Sequence, residues 1–255
     1  MSVTIERSEW MRAPRRVATG RVLGAFGDVH GHLDQLNGLL DAFDEELDQL
    51  APDDATIIGL GDVNDRGPHS IGCVDRLRRG LATESASLVS LRGNHEDKML
   101  SCMETDDSDD WQGWLYWGGS SVLDELGCEA TAASLSAAVG GDRDAWLRGQ
   151  PIKLQIGQYY FAHAGIHPDE PLEKQTAKHL MWIRQPFLSS PGPFDQNVCV
   201  IHGHTPRMVP DWTHLNRINL DSGVYQTGLL SGLLLVEDRM RVIQVRGPAL
   251  FQEYE

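Results

Sequence analysis

A chain of 255 residues, 41% hydrophobic and 23% charged, has enough length and apolar content to bury a sizeable core as one domain over 1–255, which excludes a disordered chain. The net charge of -15 argues against nucleic acid as a partner, and no stretch approaches the roughly 20 apolar residues of a membrane-spanning helix. Cys73, Cys102, Cys128 and Cys199 form no C-x-x-C pair, and the N-terminus lacks the apolar core of a leader, so reduced thiols in a cytoplasmic protein are expected.

In chain order, RVLGAFG (21–27) is a short apolar run, followed by Leu33, Leu36, Leu40, Phe43, Leu47 and Leu50 at the three- and four-residue steps of one helix face. The unit repeats. ATIIGLGD (55–62) reads as a buried strand and Ile71 to Leu81 as a helix opened by Ser70; ASLVSLRGNHE (86–96) then supplies a third strand before another helix. Strand, polar loop and helix in succession predict a parallel sheet with helices packed on it, whose ligands gather at the carboxyl ends of the strands.

Between 104 and 149 the acidic METDDSDDW, the spaced Trp111, Trp114 and Trp117 and the small-residue TAASLSAAV predict a helical insertion. The tryptophans suit a core-facing stripe, with a substrate wall as the other reading. After 151, KLQIGQYYFAHAG, QNVCVIHGHTP, RINLDSG and GLLSGLLLVEDRMRVIQV read as strands of a second, more antiparallel sheet, interrupted by the Pro and Gly loop SSPGPFD (189–195).

Five separated segments carry residues suited to metal or phosphate, each after a strand-like run: GDVHGH (27–32), GDVNDRG (61–67), RGNHE (92–96), FAHAG (161–165) and IHGHTP (201–206). Oxygen and imidazole donors suit Mn, Fe, Zn or Ni, and two such ions roughly 3.5–4 Å apart can share an activated hydroxide. Gly27, Gly61, Gly93 and Gly203 are expected to permit tight turns that let ligands converge from different strands.

From 21 to about 235 the chain resembles the calcineurin-like metallophosphoesterases, and more closely their bacterial PPP-type serine/threonine phosphatases, with G-D-x-H-G, G-D-x-x-D-R-G, G-N-H-E and two histidine motifs. The resemblance implies an α/β fold of two packed mixed β-sheets flanked by helices. It also implies a metal-dependent phosphomonoester hydrolase of serine/threonine or dual specificity, with two divalent ions, Mn²⁺ foremost. By resemblance Asp28 and His30 bind the first metal, Asp62 bridges, and Asn94, His163 and His204 bind the second. Arg66 and Arg184, the latter in MWIRQPFL (181–188), would hold the phosphate. A bridging hydroxide would attack phosphorus in line while His95, oriented by Asp65, protonates the departing alkoxide.

Two divalent ions less two carboxylates and one hydroxide leave about +1, and the two arginines raise this to about +3, enough to bind a phosphate dianion on an acidic protein. A phosphoprotein or small phosphorylated substrate is the expected partner. His32 and His202, beside the ligands, are assigned to packing or support. Asp221 in LDSG resembles a D-T-G segment of related bacterial phosphatases, and its contact with the site is left open. Asn64 stands where the phosphatases carry an apolar residue, which bears on local packing rather than on the ligands. The competing readings are a symmetrical diadenosine tetraphosphate hydrolase, set against V-N-D-R-G-P and G-N-H-E here, and a catalytically inactive metal-binding scaffold.

Overall fold

The structure, a computed structural model, describes residues 3–208, 212 and 214–248. Short strands β1 (Thr4–Arg7) and β2 (Met11–Arg12) precede β3 (Arg21–Phe26), α1 (Leu33–Leu50), β4 (Asp54–Gly59), α2 (Ser70–Arg78), β5 (Ala86–Ser90) and α3 (Asn94–Glu104). A helical stretch follows, with α4 (Ser108–Trp114), a π-helical turn (Leu115–Gly119), α5 (Ser120–Leu126), α6 (Ala132–Val139) and α7 (Gly141–Gly149). Then come β6 (Lys153–Ile156), β7 (Tyr159–Ala162), α8 (Ala177–Trp182), β8 (Cys199–His202), β9 (Arg217–Asn219), α9 (Val224–Thr227), β10 (Leu229–Val236) and β11 (Arg239–Arg246).

Among the described residues the strands form a seven-stranded sheet in the order β1-β11-β10-β3-β4-β5, with β2 also on β11, and a four-stranded sheet β6-β7-β8-β9. The predicted parallel unit is the β3-β4-β5 half of the first sheet; β10 joins it antiparallel on the free side of β3. Two expectations are corrected. The second sheet is mostly parallel, since only β6-β7 is antiparallel, because the segments between its later strands are long enough for crossovers. The GLLSGLLLVEDRMRVIQV hairpin belongs to the first sheet, where both of its faces find cover.

Two-residue alternation distributes the side chains into three cores. Val22 and Phe26 of β3 face α1 with Leu36, Leu40 and Phe43, whereas Leu23 and Ala25 face the second sheet with Phe161 and Ile201. The other face of β7 and β8, Tyr160 and Val200, packs on Leu180 and Phe187. Strands buried on both faces explain the uninterrupted apolar runs of β3, β4 and β10.

The helical expectation for 104–149 holds, but its tryptophans divide. Trp111 and Trp114 are buried in the core, while Trp117 lies on the π-helical turn and lines a cavity. Ser70 is the first residue of α2 rather than its cap. Its hydroxyl accepts the Asp65 N–H at 3.0 Å, and the Glu125 carboxylate receives the N–H groups of Ile71 and Gly72 at the helix start.

Candidate active site

Every sequence-predicted ligand lies just beyond the carboxyl end of a strand: Asp28 and His30 after β3, Asp62 after β4, Asn94 after β5, His163 after β7 and His204 after β8. Parallel strands aim these ends the same way in both sheets, so the polar loops meet along one rim of the sandwich. Of the nine non-glycine residues with positive φ among those described, five are site residues: His30, Asp62, Asp65, Arg66 and His204. Left-handed backbone costs such residues free energy, and five of the nine positions that bear it lie in the loops that turn side chains inward.

The donor atoms converge. His163 Nε2 lies 3.3 Å from Asp62 Oδ2, 2.8 Å from Asn94 Oδ1 and 3.2 Å from His204 Nδ1, and His204 Nδ1 lies 2.8 Å from Asn94 Oδ1. On the other side of Asp62, His30 Nε2 stands 3.7 Å from Oδ2. Among the described residues two groups present ligand atoms within 4.8 Å of one another, His30, Asp62 and His95, and Asp62, His163 and His204; Asp62 belongs to both. Asp28 falls outside these groups, its oxygens accepting the His204 N–H at 3.2 Å.

This donor set fits a pair of divalent ions. His30 and His163 each donate Nδ1–H to a backbone carbonyl, of Asn64 and Leu60, at 2.9 Å, which fixes the ring and turns Nε2 towards Asp62. Burial opposes charge on His163, yet the Asp62 carboxylate bonded to it, with Asp28 and Glu96, raises its pKa to about 10. The field that would hold a proton there would equally hold a metal cation. Burial, then Asp221 and Asp62, holds the Asp28 carboxyl well above its ordinary value; Asp62 lies well below, because His163, His95 and His30 outweigh its burial.

Beside the donors lies a separate chain of hydrogen bonds. His95 Nδ1 donates to Asp65 Oδ2 at 2.7 Å, and Asp65, fully buried, also accepts Trp114 Nε1 at 3.0 Å and Asn64 Nδ2 at 2.7 Å. Asn64 therefore does more than fill space. It donates to the carboxylate that holds His95. Burial disfavours the cationic form of His95, but Asp62 and Asp65 outweigh it and raise its pKa.

Arg66 reaches into the same space, donating from Nη1 to His30 Nε2 at 2.9 Å and from Nη2 to His95 Nε2 at 3.1 Å. Its guanidinium lies 4.2 Å from the Tyr225 ring centre, and its backbone N–H donates to Gly118 O. Arg184 is exposed and lines the same cavity, of about 240 Å³, together with Asp28, Asp62, Asn94, His95 and His204.

Three features escaped sequence reasoning. Glu96, quoted in the motif without a role, accepts the N–H groups of Asp62, Val63, Asn64 and Gly93 and so shapes two ligand loops at once. Trp182 and Tyr225 complete the cavity wall; the adjacency of Trp182 to Arg184 was the available signal. Asp221, left open, is buried beside the site: its field raises Asp28, and its own pKa is raised to about 6 by burial. His32 and His202 lie outside both donor groups. Their Nδ1 atoms bond to backbone carbonyls, and burial lowers His202 to about 3. Of the four glycines, Gly61 adopts a left-handed conformation at φ 98°, whereas Gly203 is needed for close approach, since a Cβ there would lie 2.1 Å from Asp28 Oδ1.

Known proteins resemble this chain in sequence and in fold. The chain is 24% identical to a bis(5'-nucleosyl)-tetraphosphatase PrpE [asymmetrical] of Halalkalibacterium halodurans, covering 89% of this chain and 96% of that one. It is 27% identical to serine/threonine-protein phosphatase 1 of Salmonella typhimurium, over 80% of this chain and 88% of the relative. The crystal structure of a cold-active protein-tyrosine phosphatase from a psychrophilic Shewanella superposes with a TM-score of 0.56 at 18% identity, over 89% of this chain and 81% of the other, which shows a shared fold. Residues 22–221 match the family profile described as calcineurin-like phosphoesterase, and the chain belongs to that family of metal-dependent phosphoesterases.

Proposed function

We propose that this protein hydrolyses phosphomonoesters, with a phosphorylated protein side chain as its substrate class and Mn²⁺ as the ion pair, Fe, Zn and Ni being compatible with the same donors. The observation that carries the reading is the Asp65 to His95 hydrogen bond at 2.7 Å, set beside the ligand cluster and in contact with Arg66. Bound there, the ions supply positive charge and lower the pKa of the attacking water. Asp28 and His30 would hold one ion and Asn94, His163 and His204 the other, with Asp62 common to both.

The chain's own groups do the rest. Arg66 and Arg184 bind and orient the phosphoryl oxygens and offset the charge that grows on them. His95 donates its Nδ1–H to Asp65, and Nε2, which accepts from Arg66 in this structure, would take up a proton once Arg66 turns to the phosphate and deliver it to the leaving oxygen. Asp221, if ionised, lowers the expected site charge by about one, so more of the attraction for a dianion falls on the two arginines.

The PrpE relative, named for bis(5'-nucleosyl)-tetraphosphates, supports a second reading in which the bond cleaved is a phosphoanhydride of a dinucleoside polyphosphate. Parallel turnover of a phosphoserine peptide, a phosphotyrosine peptide and diadenosine tetraphosphate separates the two. Turnover confined to the dinucleotide would overturn the monoesterase reading, and inactivity on all three and on p-nitrophenyl phosphate with Mn²⁺ would favour an inactive scaffold.

A further inference from the structure

The cavity above the ligands has two kinds of wall. Its floor is charged, but Trp117, Trp182 and Tyr225 stand around it. Tyr225 is already engaged, with one face against the Arg66 guanidinium and an edge contact to His30 at 5.5 Å and 87°. Trp117 and Trp182, partly exposed like Tyr225, have rings 5.3 Å apart and inclined at 56°, an open corner rather than a closed stack, with the Trp182 ring 6.4 Å from that of His204. An incoming ring could meet one of them face to face and the other at its edge, the two arrangements aromatic pairs favour.

The corner is registered to the chemistry. The Trp117 ring centre lies 6.0 Å from that of His95, about the span of one group attached to the leaving oxygen. Its backbone is tied to the phosphate-binding arginine, since Trp117 O accepts Arg66 Nε at 3.4 Å and Gly118 O accepts Arg66 N at 3.0 Å. The π-helical turn makes this possible by rotating Trp117 out of the stripe that buries Trp111 and Trp114, and Gly118, at φ 103°, leaves no room for a Cβ beside Arg66. Beyond Trp117 the surface dips into a second hollow of about 290 Å³ shared with Arg66 and Tyr225 and bordered by the exposed Tyr116. A chain carrying the ring would have room there.

Building on the monoesterase reading, we infer that Trp117 and Trp182 select phosphate esters whose leaving oxygen is attached directly to an aromatic ring, that is, phosphotyrosine in a peptide, over alkyl phosphates. Water would add its oxygen to phosphorus as the bond from phosphorus to the phenolic oxygen breaks, giving inorganic phosphate and a phenol. A nucleotide places a sugar between phosphate and ring, which would carry the base past the corner.

The test measures competitive inhibition of the Mn²⁺-loaded enzyme by benzylphosphonate and by ethylphosphonate, in which a methylene stands for the leaving oxygen and which bind without turning over, with inorganic phosphate as a report on Arg66. The wild type is expected to favour benzylphosphonate by about 2- to 13-fold, the worth of an aromatic pair, and Trp117→Leu and Trp182→Leu should each remove most of that preference while the Ki of phosphate holds. Equal inhibition by the two phosphonates in the wild type would overturn the inference, as would a preference that survives both substitutions. A rise in phosphate Ki that accounts for the whole effect would also overturn it, because Trp117 would then act only through Arg66. If the variants lose turnover of diadenosine tetraphosphate alone, the corner serves a base and the inference fails. If the phenyl preference stands but no monoester is hydrolysed, the ring site is supported and the hydrolase reading falls.

Discussion

At the scale of single residues, His95 and Asp62 lie 3.8 Å apart yet should fail differently when removed. His95→Ala is expected to keep both metal ions and lose most turnover, with the loss larger for phosphoserine than for p-nitrophenyl phosphate, whose leaving group departs without a proton. Asp62→Ala should lower the metal content itself. Elemental analysis beside the two assays decides: depleted metal in the histidine variant would make His95 a ligand, as its place in one donor group allows. The ligand types were legible because Gly-flanked acids and histidines after apolar runs have few other uses. Glu96 and Asn64 were not, because what they do depends on the N–H groups and carboxylate that the fold brings to them. At position 64 the effect falls on Asp65, where only packing was expected.

Among elements, α1 is capped after Leu50 by Ala51, which holds a left-handed φ of 44° and donates its N–H to Leu47 O. Glycine relieves that strain at some cost in unfolded-chain entropy, so Ala51→Gly should stabilise the protein by roughly 0.5–1 kcal/mol in urea unfolding. A loss of stability would show that the exposed methyl matters more than the backbone. Helices α2 and α7 are tied by Arg143, which donates to both oxygens of Asp75 at 2.9 and 2.7 Å and holds that carboxyl below its ordinary value. A depressed carboxyl stabilises above its unfolded pKa and loses that contribution as pH falls through the folded value. Arg143→Ala should therefore cost about 0.5–1 kcal/mol at pH 7, discounted for partial exposure, and the gap to wild type should narrow as pH falls below the ordinary carboxylate value of 3.8. Short apolar runs made β3 and β4 readable, and helical spacing did the same for α1 and the 104–149 helices. The π-helical turn was not, since a one-residue change of phase leaves no mark on a spacing rule, and the Gly118 and Gly119 pair was its only trace.

For the whole molecule, the first sheet supplies Asp28, Asp62 and Asn94 and the second supplies His163 and His204, so a bound ion pair would join the two layers. Without metal, burial raises Asp221 from its ordinary value to about 6, and its stabilising protonated state is lost as pH rises through that range. His163, raised to about 10, contributes stability that is present below its ordinary value near 6.5 and lost as pH approaches 10. Both trends weaken the metal-free protein at higher pH, while metal no longer competes with protons. The rise in Tm on adding Mn²⁺ should accordingly be larger at pH 8 than at pH 5.5; an equal rise at both would remove the linkage between these groups and the ions. Among the described residues no helix is long and apolar enough to cross a membrane.

The sheet order carries a consequence for biosynthesis. Strand β3 is hydrogen-bonded to β4 on one side and to β10 on the other, yet β10 and its partner β11 close only at Arg246. At roughly 5–20 residues per second a ribosome takes on the order of ten seconds or more to travel from β3 to the hairpin, and through that interval the nascent chain presents a bare, apolar strand edge. Newly made chains are therefore most exposed to mispairing and chaperone capture before the hairpin emerges, and truncation ahead of β10 should yield aggregate rather than a smaller folded unit.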